Sequence, residues 1–228
     1  MSTLRARCPD CSTLTTVAIG TDYECHVCGR EFAAGLVRVP RAWGTDGASP
    51  AAATLALPYP EASVVDEETL ERQSAVIAAD LPARPVVLGG CHWAHVGAVR
   101  GLARRYSRLA VVWIDARDLG TPAGPLPDEP WSTALRTLLD DGTVAPADVC
   151  LVGAQLATEA VAAALAGADA VYVALDTGAL DGDAVTVLER LLRDIAGSAT
   201  IAGVGISGLL DDPRNVAWLT RLLVALGL

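Results

Sequence analysis

Residues 85–92 read Pro-Val-Val-Leu-Gly-Gly-Cys-His, residues 109–118 read Leu-Ala-Val-Val-Trp-Ile-Asp-Ala-Arg-Asp, and residues 170–181 read Ala-Val-Tyr-Val-Ala-Leu-Asp-Thr-Gly-Ala-Leu-Asp. Each begins as a short, continuously apolar run and ends in glycine or aspartate. Such a run, bounded by turn residues, is the signature of a strand buried on both faces. Two more apolar runs, 148–152 and 200–204, have the same character. Between and after these strands the spacing predicts helices over 94–106, 131–140, 158–165, 183–195 and 215–226. Buried strands alternating with helices imply a three-layer α/β fold, a parallel sheet with helices on both faces. Ligands of such sheets bind beyond the carboxyl ends of the strands. Cys91 and His92, Asp115 to Asp118, and Asp176 to Asp181 all fall there.

Upstream, residues 37–84 are rich in Pro, Gly and Ala, with turn signals at Asp46-Gly47, Ser49-Pro50 and Pro58-Tyr59-Pro60. They read as a connector carrying one helix, 67–79, capped by Asp66. Residues 1–36 read differently. Cys8-Pro9-Asp10-Cys11 is followed after thirteen residues by Cys25-His26-Val27-Cys28-Gly29. Two CxxC knuckles at this separation are the pattern of a four-thiolate zinc ribbon. The alternating stretch 13–19 and the pair Tyr23-Glu24 form the expected hairpin between them. A closed set of four cysteines leaves no open coordination position, so a zinc here is structural. His26 is an alternative ligand, but the set is complete without it. A pair of redox CxxC motifs is the competing reading, disfavoured because such motifs sit at a strand-to-helix turn. The expected organisation is a ribbon over 1–36, a connector with the first helix over 37–84, and the α/β domain over 85–228.

The bulk composition narrows the function classes. Hydrophobic residues make up 52% and charged residues 19%, which supports a buried core rather than disorder. All 17 basic residues are Arg, and the net charge of −10 opposes binding to nucleic acid or an anionic membrane. Arg100, Arg104, Arg105 and Arg108 are expected to form a solvated helix face. No stretch reads as a signal peptide or a transmembrane helix, so a cytoplasmic protein is expected, and cysteines there favour metal or thiol chemistry over disulfides.

At the strand ends, His92, Asp115, Asp118, Asp176 and Asp181 are hard or borderline metal donors on three separate strands. The structural alternative is that each Asp only caps a helix or makes a turn. Cys91 is a further candidate, as thiolate ligand, as nucleophile beside His92 and His95, or as a small apolar filler. Cys150 lies inside an apolar run and reads as core.

These motifs, in order and at strand ends, resemble the arginase/agmatinase (ureohydrolase) superfamily. Its members carry Gly-Gly-Asp-His, then Asp-Ala-His-x-Asp, then Ser-x-Asp-x-Asp-x-x-Asp-Pro. The corresponding residues here are Gly89-Gly90-Cys91-His92, Asp115-Ala116-Arg117-Asp118, and Ala174-Leu175-Asp176-Thr177-Gly178-Ala179-Leu180-Asp181. The resemblance runs from Pro85 to the C-terminus and leaves out the ribbon. It implies a sheet of arginase-like type and two manganese ions sharing a hydroxide that attacks a guanidinium carbon. It also implies that His92, Asp115, Asp118 and Asp176 match the ligands of one metal, while the second metal's ligands are replaced by Arg117 and Gly178. A guanidinium has no lone pair to give and glycine has no side chain, so the dinuclear site is incomplete. Gly208 stands where a substrate-binding Glu is expected, and the His-bearing loop has no counterpart among His26, His92 and His95. His95 is then the remaining candidate for proton transfer. Arg117 and Asp181 are left as candidate ligand-binding residues.

The expected function follows from these losses. The chain reads as a ureohydrolase-like scaffold, regulatory or companion subunit of an enzyme complex, with protein contacts through the ribbon and homo- or hetero-oligomers with ureohydrolase-like subunits. The alternative is a mononuclear hydrolase of an amidine or amide C–N bond, using one Mn, Fe or Zn at the strand ends. Neither nucleic acid nor membrane is expected as a partner.

Overall fold

The computed structural model of the chain describes residues 16–19, 22–29, 31–32, 34–43, 49–115, 126, 129–153, 158–179, 182–209 and 213–228. Three short strands, β1 (Thr16–Ile19), β2 (Asp22–Cys25) and β3 (Glu31–Phe32), make an antiparallel sheet in that order. The remaining strands are β4 (Gly35–Val39), β5 (Glu61–Val64), β6 (Pro85–Gly89), β7 (Leu109–Ile114), β8 (Val149–Val152), β9 (Ala170–Asp176) and β10 (Ile201–Ser207). They form one seven-stranded sheet in the order β5-β4-β6-β10-β9-β7-β8, and every pairing is parallel.

Among the described residues, seven α-helices cover it: α1 (Pro50–Thr54), α2 (Leu70–Ala79), α3 (Trp93–Ala103), α4 (Pro130–Asp140), α5 (Thr158–Leu165), α6 (Gly182–Ser198) and α7 (Pro213–Ala225). Successive strand side chains point to opposite faces, so the sheet feeds two cores. Val86 and Leu88 pack with Ala52, Val161, Leu192 and Leu222 from α1, α5, α6 and α7. Val87, Val111 and Trp113 pack with Ile77, Val96 and Leu135 from α2, α3 and α4. The three-layer arrangement expected from the apolar runs is therefore the one observed.

Parts of the structure differ from the sequence reading. The main sheet takes β4 from across the boundary drawn between ribbon (1–36) and connector (37–84), and β5 from the connector, and β4 is wholly buried between β5 and β6. Its run Gly35-Leu36-Val37-Arg38-Val39 is interrupted by a charge, which hid it. Arg38 is tolerated there because Glu61 accepts from its Nε at 2.8 Å and the carbonyls of Ala52 and Leu55 accept from the other guanidinium nitrogens. Helix α2 begins later than expected, at Leu70, and Thr69 is its cap, accepting from the backbone N–H of Arg72. Asp66 pairs with Arg41 instead, at 2.9 Å.

The arginines of α3 and its C-terminal turn are not a merely solvated face. Arg104 donates to Ala78 O, and Arg105 donates to Leu81 O and Pro82 O. These guanidiniums satisfy carbonyls at and beyond the C-terminus of α2, where cations also oppose the helix dipole. Arg100 bridges Asp141 and Ser74, and Arg108 pairs with Asp148. Cys150 is buried in β8, as expected. Among the described residues, no helix is long and apolar enough to cross a membrane.

Candidate metal centre

Strands β6, β10, β9 and β7 are neighbours in the sheet, so their carboxyl ends lie side by side. Each delivers one polar side chain to the same place. His92 follows β6 and precedes α3, Ser207 ends β10, Asp176 ends β9, and Asp115 follows β7. Asp115 is 2% exposed, Asp176 8% and Ser207 not at all. The available ligand atoms of His92, Asp115 and Asp176 all lie within 4.8 Å of one another.

His92 is held at both ring nitrogens. Nε2 lies 3.1 Å from Asp176 Oδ2, and Nδ1 lies 3.0 Å from Ser207 Oγ. The hydroxyl of Ser207 can donate or accept. It therefore satisfies Nδ1 whether that nitrogen carries the proton or Nε2 does. Sequence reading did not find Ser207, although one signal existed: it is the one polar side chain of the run Ile201–Ser207, at its carboxyl end.

Two buried carboxylates this close repel unless a cation or proton sits between them. An imidazole and two carboxylates are borderline and hard donors, and their summed charge offsets that of one divalent ion. The donor set fits one Mn, Fe or Zn ion. It does not extend to a second ion among the described residues. Gly178 offers only its backbone, and its N–H donates to Asp176 Oδ1 at 2.7 Å. A Cβ at 178 would stand 2.9 Å from that same oxygen. Gly208 has φ +69, and a Cβ there would stand 2.7 Å from Asp176 Oδ1. A larger side chain at 208 would thus be strained by its backbone and crowded by the carboxylate. Thr177 donates to Gly208 O, which ties the two strand ends together.

Cys91 and His95 make other contacts, although the ring of His95 lies 6.1 Å from that of His92 between centroids. Cys91 accepts from Trp43 N at 3.3 Å, and its Sγ lies 3.8 Å from Arg41 O. Burial pushes its thiol pKa up, so it stays a neutral tie between the β6–α3 turn and the segment after β4. His95 is 1% exposed, and its pKa is lowered to about 3, first by burial and then by the neighbouring His92. Its Nδ1 is 3.0 Å from Tyr172 OH, while Nε2 is buried with no partner among the described residues. The ring stands edge-on to Trp113 at 5.1 Å between centroids. His95 is a core residue that stays neutral above about pH 3. Asp118, Arg117 and Asp181 lie outside the described residues, as do Cys8 and Cys11.

Comparison with known proteins agrees with this architecture. The Arginase family profile matches residues 49–201, two-thirds of the chain. The fold is similar to formimidoylglutamase from Bacillus subtilis, with a TM-score of 0.63 at 15% identity, covering 85% of each chain. Arginase from Bacillus cereus superposes with a TM-score of 0.63 at 15% identity, covering 85% of this chain and 97% of that one. A hypothetical agmatinase from Burkholderia thailandensis gives 0.59 at 14% identity, covering 85% of this chain and 82% of that one. No curated protein matches the sequence. With its parallel sheet, its strand-end histidine and carboxylates, and the match over most of its length, the chain belongs to the arginase family.

Proposed function

We propose that this chain is a ureohydrolase-fold protein whose strand-end site takes a single divalent cation, and that it serves as a non-catalytic scaffold or regulatory companion of an enzyme complex. The observation that carries this reading is Gly178. The position that would supply a ligand to a second ion has no side chain, and its N–H occupies Asp176 Oδ1. Two further observations support it. His95 stays neutral and is turned to Tyr172, so it does not serve as a proton shuttle. A side chain at Gly208 would be strained by its positive φ and crowded by the Asp176 carboxylate. Companion subunits of the same fold and the N-terminal ribbon are the expected contacts, in the cytoplasm.

A second reading rests on the cluster itself. His92, Asp115 and Asp176 remain close and buried, and a cation held there would supply Lewis acidity to an amidine or amide carbon. This is the mononuclear C–N hydrolase.

One experiment separates the two. The purified chain is loaded with Mn2+, Fe2+ or Zn2+, its metal is counted, and it is assayed on arginine, agmatine, formimidoylglutamate and simple amides. Binding of one strand-end ion without turnover supports the companion reading. Turnover that His92→Ala and Asp176→Ala both abolish would establish the hydrolase and overturn it.

A further inference from the structure

At the amino ends of β6 and β10, on the side of the sheet away from the strand-end cluster, lies an open groove of about 650 Å3. That size is within the range of small-molecule sites. Three parts of the chain shape it. Arg84 immediately precedes β6, Tyr106 follows α3, and Ala196-Gly197-Ser198 is the last turn of α6. Small residues keep it open, since a Cβ at Gly197 or Gly227 would meet nothing within 4 Å.

Two helices end at this groove, and they are finished differently. α7 closes on Gly227, which has φ +69; the N–H of Gly227 donates to Val224 O and that of Leu228 to Leu223 O. This pair of bonds around a left-handed glycine satisfies the last carbonyls of a helix. Arg84 Nη2 then donates to Gly227 O at 2.9 Å. α6 has no such closure. The N–H of Ala199 donates to Ile195 O, and among the described residues no donor reaches the carbonyls of Ala196, Gly197 or Ser198. Three acceptors are left open there, at the negative end of the helix dipole.

Arg84 brings the opposite sign. It is half-buried and held at one nitrogen by Gly227, and among the described residues no carboxylate pairs with it. In a chain of net charge −10, a guanidinium left without a carboxylate is an opening for one from outside.

We infer that this groove binds a small zwitterion of the α-amino acid class with an apolar side chain. The ligand carboxylate takes the remaining N–H groups of Arg84, in the charge-assisted contact that a guanidinium favours. Its ammonium, with three donors and no acceptor, takes the open carbonyls of α6. The half-buried ring of Tyr106 and the buried Leu226 give the side chain an apolar wall. A plain anion is repelled by the α6 carbonyls and a plain cation by Arg84, so a ligand carrying both charges suits the two ends. The inference does not rest on the strand-end reading, because the groove shares no residue with that cluster.

The test is calorimetric titration of the full chain with L-phenylalanine, L-leucine and L-valine. Two truncated probes accompany them: phenethylamine, which lacks the carboxylate, and 3-phenylpropionate, which lacks the ammonium. At least one amino acid should bind saturably with a Kd of about 1 mM or tighter. Each truncated probe should bind about tenfold more weakly or worse than L-phenylalanine. Gly197→Leu places a side chain in the open space of the groove and should abolish binding. Its Tm should be no lower than that of the wild type, because leucine favours a helix more than glycine does. Arg84→Met should weaken binding about 10–100-fold. That variant also loses the tie to Gly227 O, so if it fails to fold, Gly197→Leu and the truncated probes decide alone. Absence of saturable binding by all three amino acids would overturn the inference. Equal binding of either truncated probe would overturn it too, as would full affinity in Gly197→Leu.

Discussion

Replacing Ser207 with Ala is the sharpest probe of the strand-end site. Ser207 is fully buried, and its Oγ is 3.0 Å from His92 Nδ1. When Nε2 gives its lone pair to a cation, the imidazole proton must sit on Nδ1, and Ser207 Oγ then accepts it. In Ser207→Ala that N–H points at a methyl group, at a position where Ser207 itself has no solvent exposure. A buried donor left without an acceptor costs about 1–3 kcal/mol. Loss of such an outer partner of a metal-bound histidine weakens binding about 10–100-fold, which corresponds to about 1.4–2.7 kcal/mol. The complete burial of Ser207 places the expectation in the upper half of that range. Titration with Mn2+ reports it, because the Trp113 ring lies 5.9 Å from His92 and its fluorescence is quenched by a bound paramagnetic ion. Calorimetry gives the same Kd independently, and a melting curve separates lost affinity from lost fold. A Kd within about threefold of the wild type, which is under 1 kcal/mol, would refute the assignment of His92 Nε2 as a ligand oriented by Ser207.

Other outcomes test the surrounding structure. Gly205→Ala places a Cβ 2.7 Å from His95 Cε1 and closer still to His95 Nδ1 and Tyr172 OH; overpacking of about 1–3 kcal/mol and disruption of the buried pair should lower Tm by about 5–15 °C, and an unchanged Tm would count against the packing described. His95 has its folded pKa depressed to about 3 from 6.5, among His92, Asp176 and Tyr172. The unfolded chain therefore takes up a proton that the folded one refuses, so stability is intact above pH 6.5 and falls toward pH 3 by about 1.4 kcal/mol per unit; His95→Gln should flatten the denaturation slope in that window, and an identical slope would refute this. Removal of residues 1–33 should leave the seven-stranded sheet folded, because that sheet begins at Gly35; a truncated chain without a cooperative melt would show that the N-terminal segment is part of the main fold.

The sequence by itself determined the sheet and where its site had to be. Apolar runs such as Leu109–Ile114 and Ala170–Asp176 are buried on both faces, so their pattern is continuous and legible without coordinates. His92, Asp115 and Asp176 were legible for the same reason, since they are the first polar residues after those runs. β4 was not, because Arg38 breaks its apolar pattern and is made tolerable only by Glu61 and by carbonyls from α1 and the turn that follows. Tertiary structure alone assigned the partners. Ser207 is 115 residues from His92 in the chain, and Tyr172 is 77 from His95. Neither pairing has a local signature, because strand order brings β10 beside β6 and α3 over β9. The same folding separated the two residues that sequence treats as alike: His92 stands at the strand ends among carboxylates, while His95, one helical turn on, is turned into the apolar core and kept neutral by burial.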